Sequence, residues 1–197
     1  MEVAAARSAL RTLLLITACI MTAVHIGVAA IKVHVDLDKA FDFRQVRTWA
    51  WAVPTAGHVM AARTPTDDPD AIQQLAEPVI MSAVIAELPG RGLSHTIENP
   101  DVTLKYYLLL TMGESAQAIG QFLPPAYQWG MPPFLPSTQS LKIINQGSLA
   151  IDVFAKDQVV WRGIAAAEIK PGATQERRAA LIRQAVRDIL KKYPRTK

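Results

Sequence analysis

The sequence predicts an α+β domain built on a mainly antiparallel sheet, with two amphipathic helices on one face of that sheet. Three observations carry this prediction. Short segments of alternating polarity recur along the chain, two longer segments repeat apolar residues at helical spacing, and proline or glycine separates most of them. From residue 31 onward these segments follow the order β-β-α-β-β-β-α, which suits a two-layer α+β sandwich.

Four stretches carry the strand signal. Residues 31–38, IKVHVDLD, alternate apolar and polar side chains without interruption. Trp49 and Trp51 lie two residues apart, as side chains on one face of a strand do, and Pro54 ends that run. Residues 101–112, DVTLKYYLLLTM, alternate again, and residues 148–169 predict a hairpin with its turn at 156–157. Residues 55–70 read as a loop rich in Thr, Asp and Pro.

Two helices follow from capping and spacing. Asp68 and Pro69 form an N-cap and N1 pair, and apolar residues then recur every three or four positions until Pro89–Gly92 ends the helix. Pro78 either kinks this helix or separates two shorter ones. Thr174 is the predicted N-cap of the last helix, which has one apolar side and one basic side.

Residues 119–136, IGQFLPPAYQWGMPPFLP, form a long loop before the last hairpin. Five prolines exclude a helix or a central strand, and the segment also carries four aromatic side chains. One interpretation is a lid that folds back over a sheet face. The other is a contact surface for a partner, because exposed apolar patches usually have a role. The candidate contact residues are Phe122, Tyr127, Trp129 and Phe134.

Residues 1–30 predict an export signal. Arg7 and Arg11 precede an apolar stretch that ends in GVAA, a small-residue cleavage pattern directly before the first strand. Two alternatives remain open. ITAC, ending at Cys19, is similar to the site at which bacterial lipoproteins are lipidated, and the uncut segment is also nearly long enough to anchor in a bilayer. We therefore expect an export segment at 1–30 and a single domain at 31–197.

The sequence nominates no catalytic, cofactor-binding or metal-binding residue. His34 and Asp36 are the nearest approach to a ligand pair, and Ser94–His95 lack the surroundings of a nucleophile and base. The three tryptophans at 49, 51 and 161 are expected in the core. The formal charge of +4 is modest and half the residues are hydrophobic, so we expect a folded domain that does not bind nucleic acid.

Several segments together resemble the domain-of-unknown-function family 4136. They are VHVDLDKAFDFRQVRTWAW, the helix end LPGRGL, DVTLKYYLLL, GSLAIDVFAKDQVVWRG and the terminal LKKYP. The resemblance covers residues 31–197 and implies a bacterial envelope α/β domain, often a lipoprotein. It departs from the family where an apolar run, not a short polar stretch, follows Cys19. The resemblance carries over no catalytic or ligand residue.

These observations favour an exported protein of the cell envelope of a Gram-negative bacterium, periplasmic or tethered to a membrane. Its expected role is non-enzymatic binding of an envelope protein, a lipid or an envelope polymer through residues 119–136. The alternatives are an envelope hydrolase whose active site the sequence does not reveal, and a purely structural membrane-tethered domain. No cofactor is expected.

Overall fold

The computed structural model describes residues 31–61, 68–110, 147–169 and 172–195. The strands are β1 (Lys32–Leu37), β2 (Thr48–Trp51), β3 (Gly57–Ala61), β4 (Ser94–His95), β5 (Val102–Leu110), β6 (Gly147–Ala155) and β7 (Gln158–Ala167). The helices are α1 (Pro69–Glu87) and α2 (Gln175–Leu190), with short 3₁₀ turns at Phe43–Gln45 and Leu88–Arg91. The α+β class is therefore confirmed for the described residues.

The sheet is mixed, so the prediction of a mainly antiparallel sheet was wrong. The strand order is β1-β7-β6-β5-β2-β4, and β3 also pairs with β5. β1–β7, β7–β6 and β6–β5 are antiparallel, whereas β2 and β3 both run parallel to β5, and β4 runs parallel to β2. The reason is the connection from β3 to β5, which contains α1 and crosses over the sheet, so that β5 runs in the direction of β2 and β3.

The predicted element order omitted two strands. β3 lies within the residues predicted as a loop, and β4 is only two residues long. The sequence GHVMA carries little β-branched or aromatic character, so its strand state depends on pairing with β5 over five residues rather than on local propensity. The strand predicted at 31–38 and the hairpin predicted at 148–169 are confirmed within one or two residues, and the strand predicted at 101–112 is confirmed over its described residues.

The predicted helix caps are confirmed. Asp68 Oδ1 accepts a hydrogen bond from the Asp70 backbone N–H at 3.0 Å, and Thr174 Oγ1 accepts one from Arg177 N–H at 3.3 Å. α1 continues through Pro78 as a single helix, which decides between the two interpretations of that proline. By length and composition Pro69–Arg91 could cross a membrane; in this structure its residues Ile80 and Val84 are fully buried in the core.

The core lies between the sheet and the two described helices, which contact each other side by side. It includes one phase of the central strands, such as Leu104 and Tyr106 of β5 and Ile151 of β6, together with Val84 of α1 and Ile189 of α2. The opposite phase of β5 and β6 is buried as well: Tyr107 and Leu109 are 1% exposed. Both faces of the central strands are therefore buried from solvent, which explains their nearly continuous apolar sequences.

Candidate functional site

The predicted contact residues Phe122, Tyr127, Trp129 and Phe134 lie outside the described residues, and so does Cys19. The structure does show the described residues on either side of the segment that contains the four aromatic residues. Leu110, the last residue of β5, pairs with Gly147, the first residue of β6. The described chain therefore stops and resumes on either side of residues 111–146 at one place, on two neighbouring strands in the middle of the sheet.

The tryptophans belong to the core, as expected. Trp49 is 1% exposed and Trp161 is fully buried, and Trp51 packs against the core from a partly buried position. Trp49 contacts Trp51 edge to face with ring centroids 5.3 Å apart, and Trp161 meets Tyr193 of the C-terminal turn at 5.2 Å. Because these rings are held by neighbouring core side chains, they do not form an open ligand platform.

His34 and Asp36 contact each other on β1, with His34 Nε2 3.2 Å from Asp36 Oδ1. The His34 side chain is 70% exposed. Within the described ranges no third histidine, cysteine or carboxylate joins them in a group that could hold a metal ion. The pair is therefore a surface contact on an edge strand and lacks the ligand number of a protein metal site.

Ser94 and His95 form β4, and both side chains are exposed. Neighbouring residues in a strand point to opposite sides, so the hydroxyl and the imidazole do not face each other. The His95 ring instead contacts the Trp49 ring at 4.8 Å between centroids. The geometry does not give the serine a base to activate it.

The sheet carries an ion pair that sequence analysis did not single out. On the face opposite the helices, Arg162 of β7 donates from Nε to Asp152 Oδ1 and from Nη2 to Asp152 Oδ2, each at 2.6 Å. The Arg162 side chain is 3% exposed and the Asp152 side chain is fully buried. Burial raises the pKa of Asp152, and the Arg162 guanidinium acts in the opposite direction.

This pair is the centre of a row of charges that crosses four strands. The register places Asp36 of β1 beside Arg162, Arg162 beside Asp152, and Asp152 beside Lys105 of β5. The signs alternate from strand to strand, which is the favourable arrangement for cross-strand neighbours. We call Asp36, Arg162, Asp152 and Lys105 the charge row.

Other polar side chains surround the charge row on the same face. Lys105 Nζ lies 5.8 Å from the centre of the Tyr107 ring, and His58 of β3 is the register partner of Tyr107. Desolvation and, second, the positive charge of Lys105 lower the pKa of His58. Ser148 Oγ is buried and has no hydrogen-bond partner in the described part of the chain. Because Asp152 is already held by Arg162, this carboxylate is not poised for acid–base work.

One signal in the sequence could have revealed this pair. Asp152 and Arg162 each interrupt an apolar strand, and they lie on the two arms of the hairpin whose turn was predicted at 156–157. Folding the arms together brings the two charges face to face, although a bulge near Val153–Phe154 shifts the register by one residue. Opposite charges in the two apolar arms of a predicted hairpin therefore indicate a buried pair.

Comparison with known proteins now identifies the domain. Residues 33–195 match the family model described as Domain of unknown function (DUF4136). The chain belongs to this family. The resemblance stated from the sequence is thereby confirmed over nearly the whole domain. Among curated proteins, none matches the chain significantly.

Solved structures similar to this DUF4136 chain are distant in sequence. A DUF4136 family protein from Bacteroides thetaiotaomicron is 15% identical, with a TM-score of 0.48, and the match covers 82% of this chain and 95% of that one. A PDZ domain protein from Parabacteroides distasonis is 16% identical with a TM-score of 0.46, over 86% of this chain and 36% of that one. The PelC dodecamer from Paraburkholderia phytofirmans is 8% identical with a TM-score of 0.38, over 85% of this chain and all of that one.

Proposed function

We propose that this DUF4136 protein is exported to the bacterial cell envelope and acts there by binding, with residues 119–136 as its contact segment. The observation that carries the proposal is the pairing of Leu110 with Gly147. The chain on either side of this segment, which holds five prolines and four aromatic side chains, therefore continues into two adjacent central strands at Leu110 and Gly147. Binding loops are commonly presented in this way, on a scaffold that fixes their ends.

The composition of the segment supports a contact role. Tyrosine, tryptophan and phenylalanine supply large contact areas, and proline reduces the conformational entropy lost when a segment is ordered on a partner. The expected partner is an envelope protein, a lipid or an envelope polymer. The rival role is internal: the segment would cover the sheet face that carries buried Tyr107 and Leu109.

Substitution separates these roles. We would replace Phe122, Tyr127, Trp129 and Phe134 by serine and compare this variant with a control in which Gln121 and Gln128 become serine. The contact role predicts an unchanged unfolding midpoint and a loss of binding. Loss of the folded domain in the aromatic variant, with the control intact, would assign the segment to the interior and contradict the proposal.

Photo-crosslinking in the host identifies what is bound. Benzoylphenylalanine at position 129 is expected to yield a specific adduct, analysed by mass spectrometry as protein, lipid or polymer. The matched control is the same residue at Ile97, an apolar side chain that is 86% exposed on the described surface. Equal labelling at positions 129 and 97 would argue against a dedicated contact segment.

The export part of the proposal rests on residues 1–30, whose charge and hydropathy pattern is that of a signal peptide. Intact mass and N-terminal mapping of the protein from fractionated host cells test it. A soluble periplasmic form that starts at Ala30 or Ile31, or a lipid-modified Cys19 form in the membrane, supports export. A full-length form recovered with cytoplasmic markers contradicts it.

A further inference from the structure

β1 lies at the end of the sheet. One of its edges pairs with β7 over six residues, from Lys32 beside Ala166 to Leu37 beside Trp161. No described strand pairs with its other edge. A strand in this position presents a row of backbone donors and acceptors that another strand can complete.

The register shows which backbone groups face outward. Asp38 N–H donates to Val160 C=O at 2.8 Å, and this pair continues the β1–β7 register. Because hydrogen-bonding direction alternates along an antiparallel pair, the even-numbered residues of β1 bond to β7. The N–H and C=O groups of Val33, Val35 and Leu37 therefore point away from the sheet.

The side chains of β1 complement their own reversed sequence. Along the phase that faces away from the helices the order is Lys32, His34 and Asp36, with the positive charge at one end and the partly buried negative charge at the other. The apolar phase holds Val33, Val35 and Leu37, and Leu37 is 40% exposed although it lies on the core-facing side. A second β1, placed antiparallel, presents its acidic end to Lys32 and an apolar side chain to Leu37.

We propose that a second copy of this chain pairs with the edge of β1 that no described strand occupies, antiparallel and around a two-fold axis, to form one continuous sheet across two subunits. The outward backbone groups belong to odd-numbered residues, so odd-numbered residues of the two strands must face each other. Two registers near the middle of β1 satisfy this condition. With His34 on the axis, Lys32 faces Asp36 of the partner subunit; with Val35 on the axis, Lys32 faces Asp38 of the partner subunit. Isologous contacts of this kind are the usual basis of homodimers.

Edge charges commonly prevent such pairing, because a lysine brought against a partner strand loses solvation. In β1 that cost is offset, since reversal of the strand brings a carboxylate opposite the lysine in either register. Opposite charges at directly facing positions stabilise a strand pair, whereas like charges destabilise it. The charge order along β1 therefore favours the antiparallel homodimer over a parallel one, which would align lysine with lysine.

Cysteine crosslinking tests the geometry in the full chain with Cys19 replaced by serine. Residues facing each other on the axis have Cβ atoms about 4.5–5.5 Å apart, close enough for a disulfide after a small adjustment. We expect His34→Cys or Val35→Cys to give a covalent dimer on mild oxidation. Lys32→Cys is the matched control on the same strand, because its two copies would lie about 13–20 Å apart. Crosslinking of neither central residue, or equal crosslinking at position 32, would overturn the proposal.

A proline substitution tests the backbone pairing. Val35→Pro removes an outward N–H without removing a β1–β7 hydrogen bond, and proline is tolerated on a strand edge that faces solvent. We expect sedimentation analysis to show a monomer for Val35→Pro and a dimer for Val35→Ala, which loses side-chain volume alone. Should the proline variant unfold, Lys32→Glu replaces it, since it sets acid against acid and is expected to weaken dimerisation at least tenfold. A monomeric parent chain, or a dimer that tolerates a folded Val35→Pro and Lys32→Glu, would contradict the proposal.

Discussion

Arg162 and Asp152 form a bidentate ion pair between β7 and β6, with two N–O distances of 2.6 Å and almost no solvent exposure. The pair stands on the face of the sheet that the described helices do not cover. Removal of one member would leave the other charge buried without its partner, which is far more costly than removal of both.

We therefore expect Arg162→Met and Asp152→Asn each to lower the free energy of unfolding by about 3–5 kcal/mol. The double variant Asp152→Leu with Arg162→Met should recover most of this loss, because it leaves no unpaired buried charge. Chemical denaturation measures all three variants. Additive losses in the double variant would show that the two residues act independently.

Tyr106 joins the sheet to α1 through its hydroxyl, which donates to Glu77 Oε2 at 2.5 Å. Tyr106→Phe removes this hydrogen bond but keeps the buried ring, so we expect a loss of about 1 kcal/mol in the free energy of unfolding. Glu77→Gln is the control, since its amide oxygen can still accept the hydrogen bond. A larger loss for Glu77→Gln than for Tyr106→Phe would mean that the carboxylate matters for another reason.

Stability should fall in alkaline solution. Burial and then the Glu77 carboxylate raise the pKa of Tyr106 far above its ordinary value, and burial raises the pKa of Tyr193. Above about pH 10 the unfolded chain releases tyrosine protons that the folded chain retains, so the free energy of unfolding decreases as pH rises. Denaturation between pH 8 and about 11 tests this, and Tyr106→Phe is expected to flatten the decline.

Asp101 connects the start of β5 to the start of β2. Its Oδ2 accepts hydrogen bonds from the backbone N–H groups of Arg47 and Thr48, both at 2.8 Å, and these bonds lower the pKa of the carboxyl. Stability from this group is present above the pKa of an unfolded aspartate and is lost as pH falls below about 4. Asp101→Asn should cost about 1 kcal/mol at neutral pH, since the site is solvent-screened. The free energy of unfolding of the Asp101→Asn variant should also depend less on pH in acid. An unchanged dependence on pH, measured by denaturation, would contradict this assignment.

Gly163 of β7 lies beneath α2. A Cβ at this position would overlap the indole ring of Trp161 and the side chain of Ile189. We expect Gly163→Ala to destabilise the domain by about 1–3 kcal/mol through overpacking. Gly90→Ala is the matched control, because nothing lies within 4 Å of its Cβ position. Equal thermal unfolding midpoints for the two variants would show that the side chains around Gly163 move enough to accommodate the added methyl group.

The sequence predicts most elements of this fold where side-chain pattern decides the local structure. Alternation located β1 and β5, and the capping residues Asp68 and Thr174 located the helix starts. The relative direction of the strands was not predicted, because no local sequence pattern determines it. β2 and β3 run parallel to β5 only because α1 carries the chain across the sheet.

The site was less accessible to sequence reasoning than the fold. The predicted aromatic contact residues stay a prediction, whereas the buried Asp152–Arg162 pair was overlooked because its two charges lie ten residues apart and meet only across the hairpin. The role of a charged residue in an apolar strand cannot be assigned from that residue alone. Its role depends on the residue that faces it across the ladder, and this depends on register and on the bulge near Val153.

The pairing of β1 with β7 also determines when the domain can fold. β1 occupies residues 32–37, and its partner residues on β7 are 161–166. The β6–β7 hairpin closes locally through a two-residue turn, but β1 has no described partner until that hairpin exists. Contacts this distant in sequence slow folding, and the sheet is not completed until β7 has been synthesised.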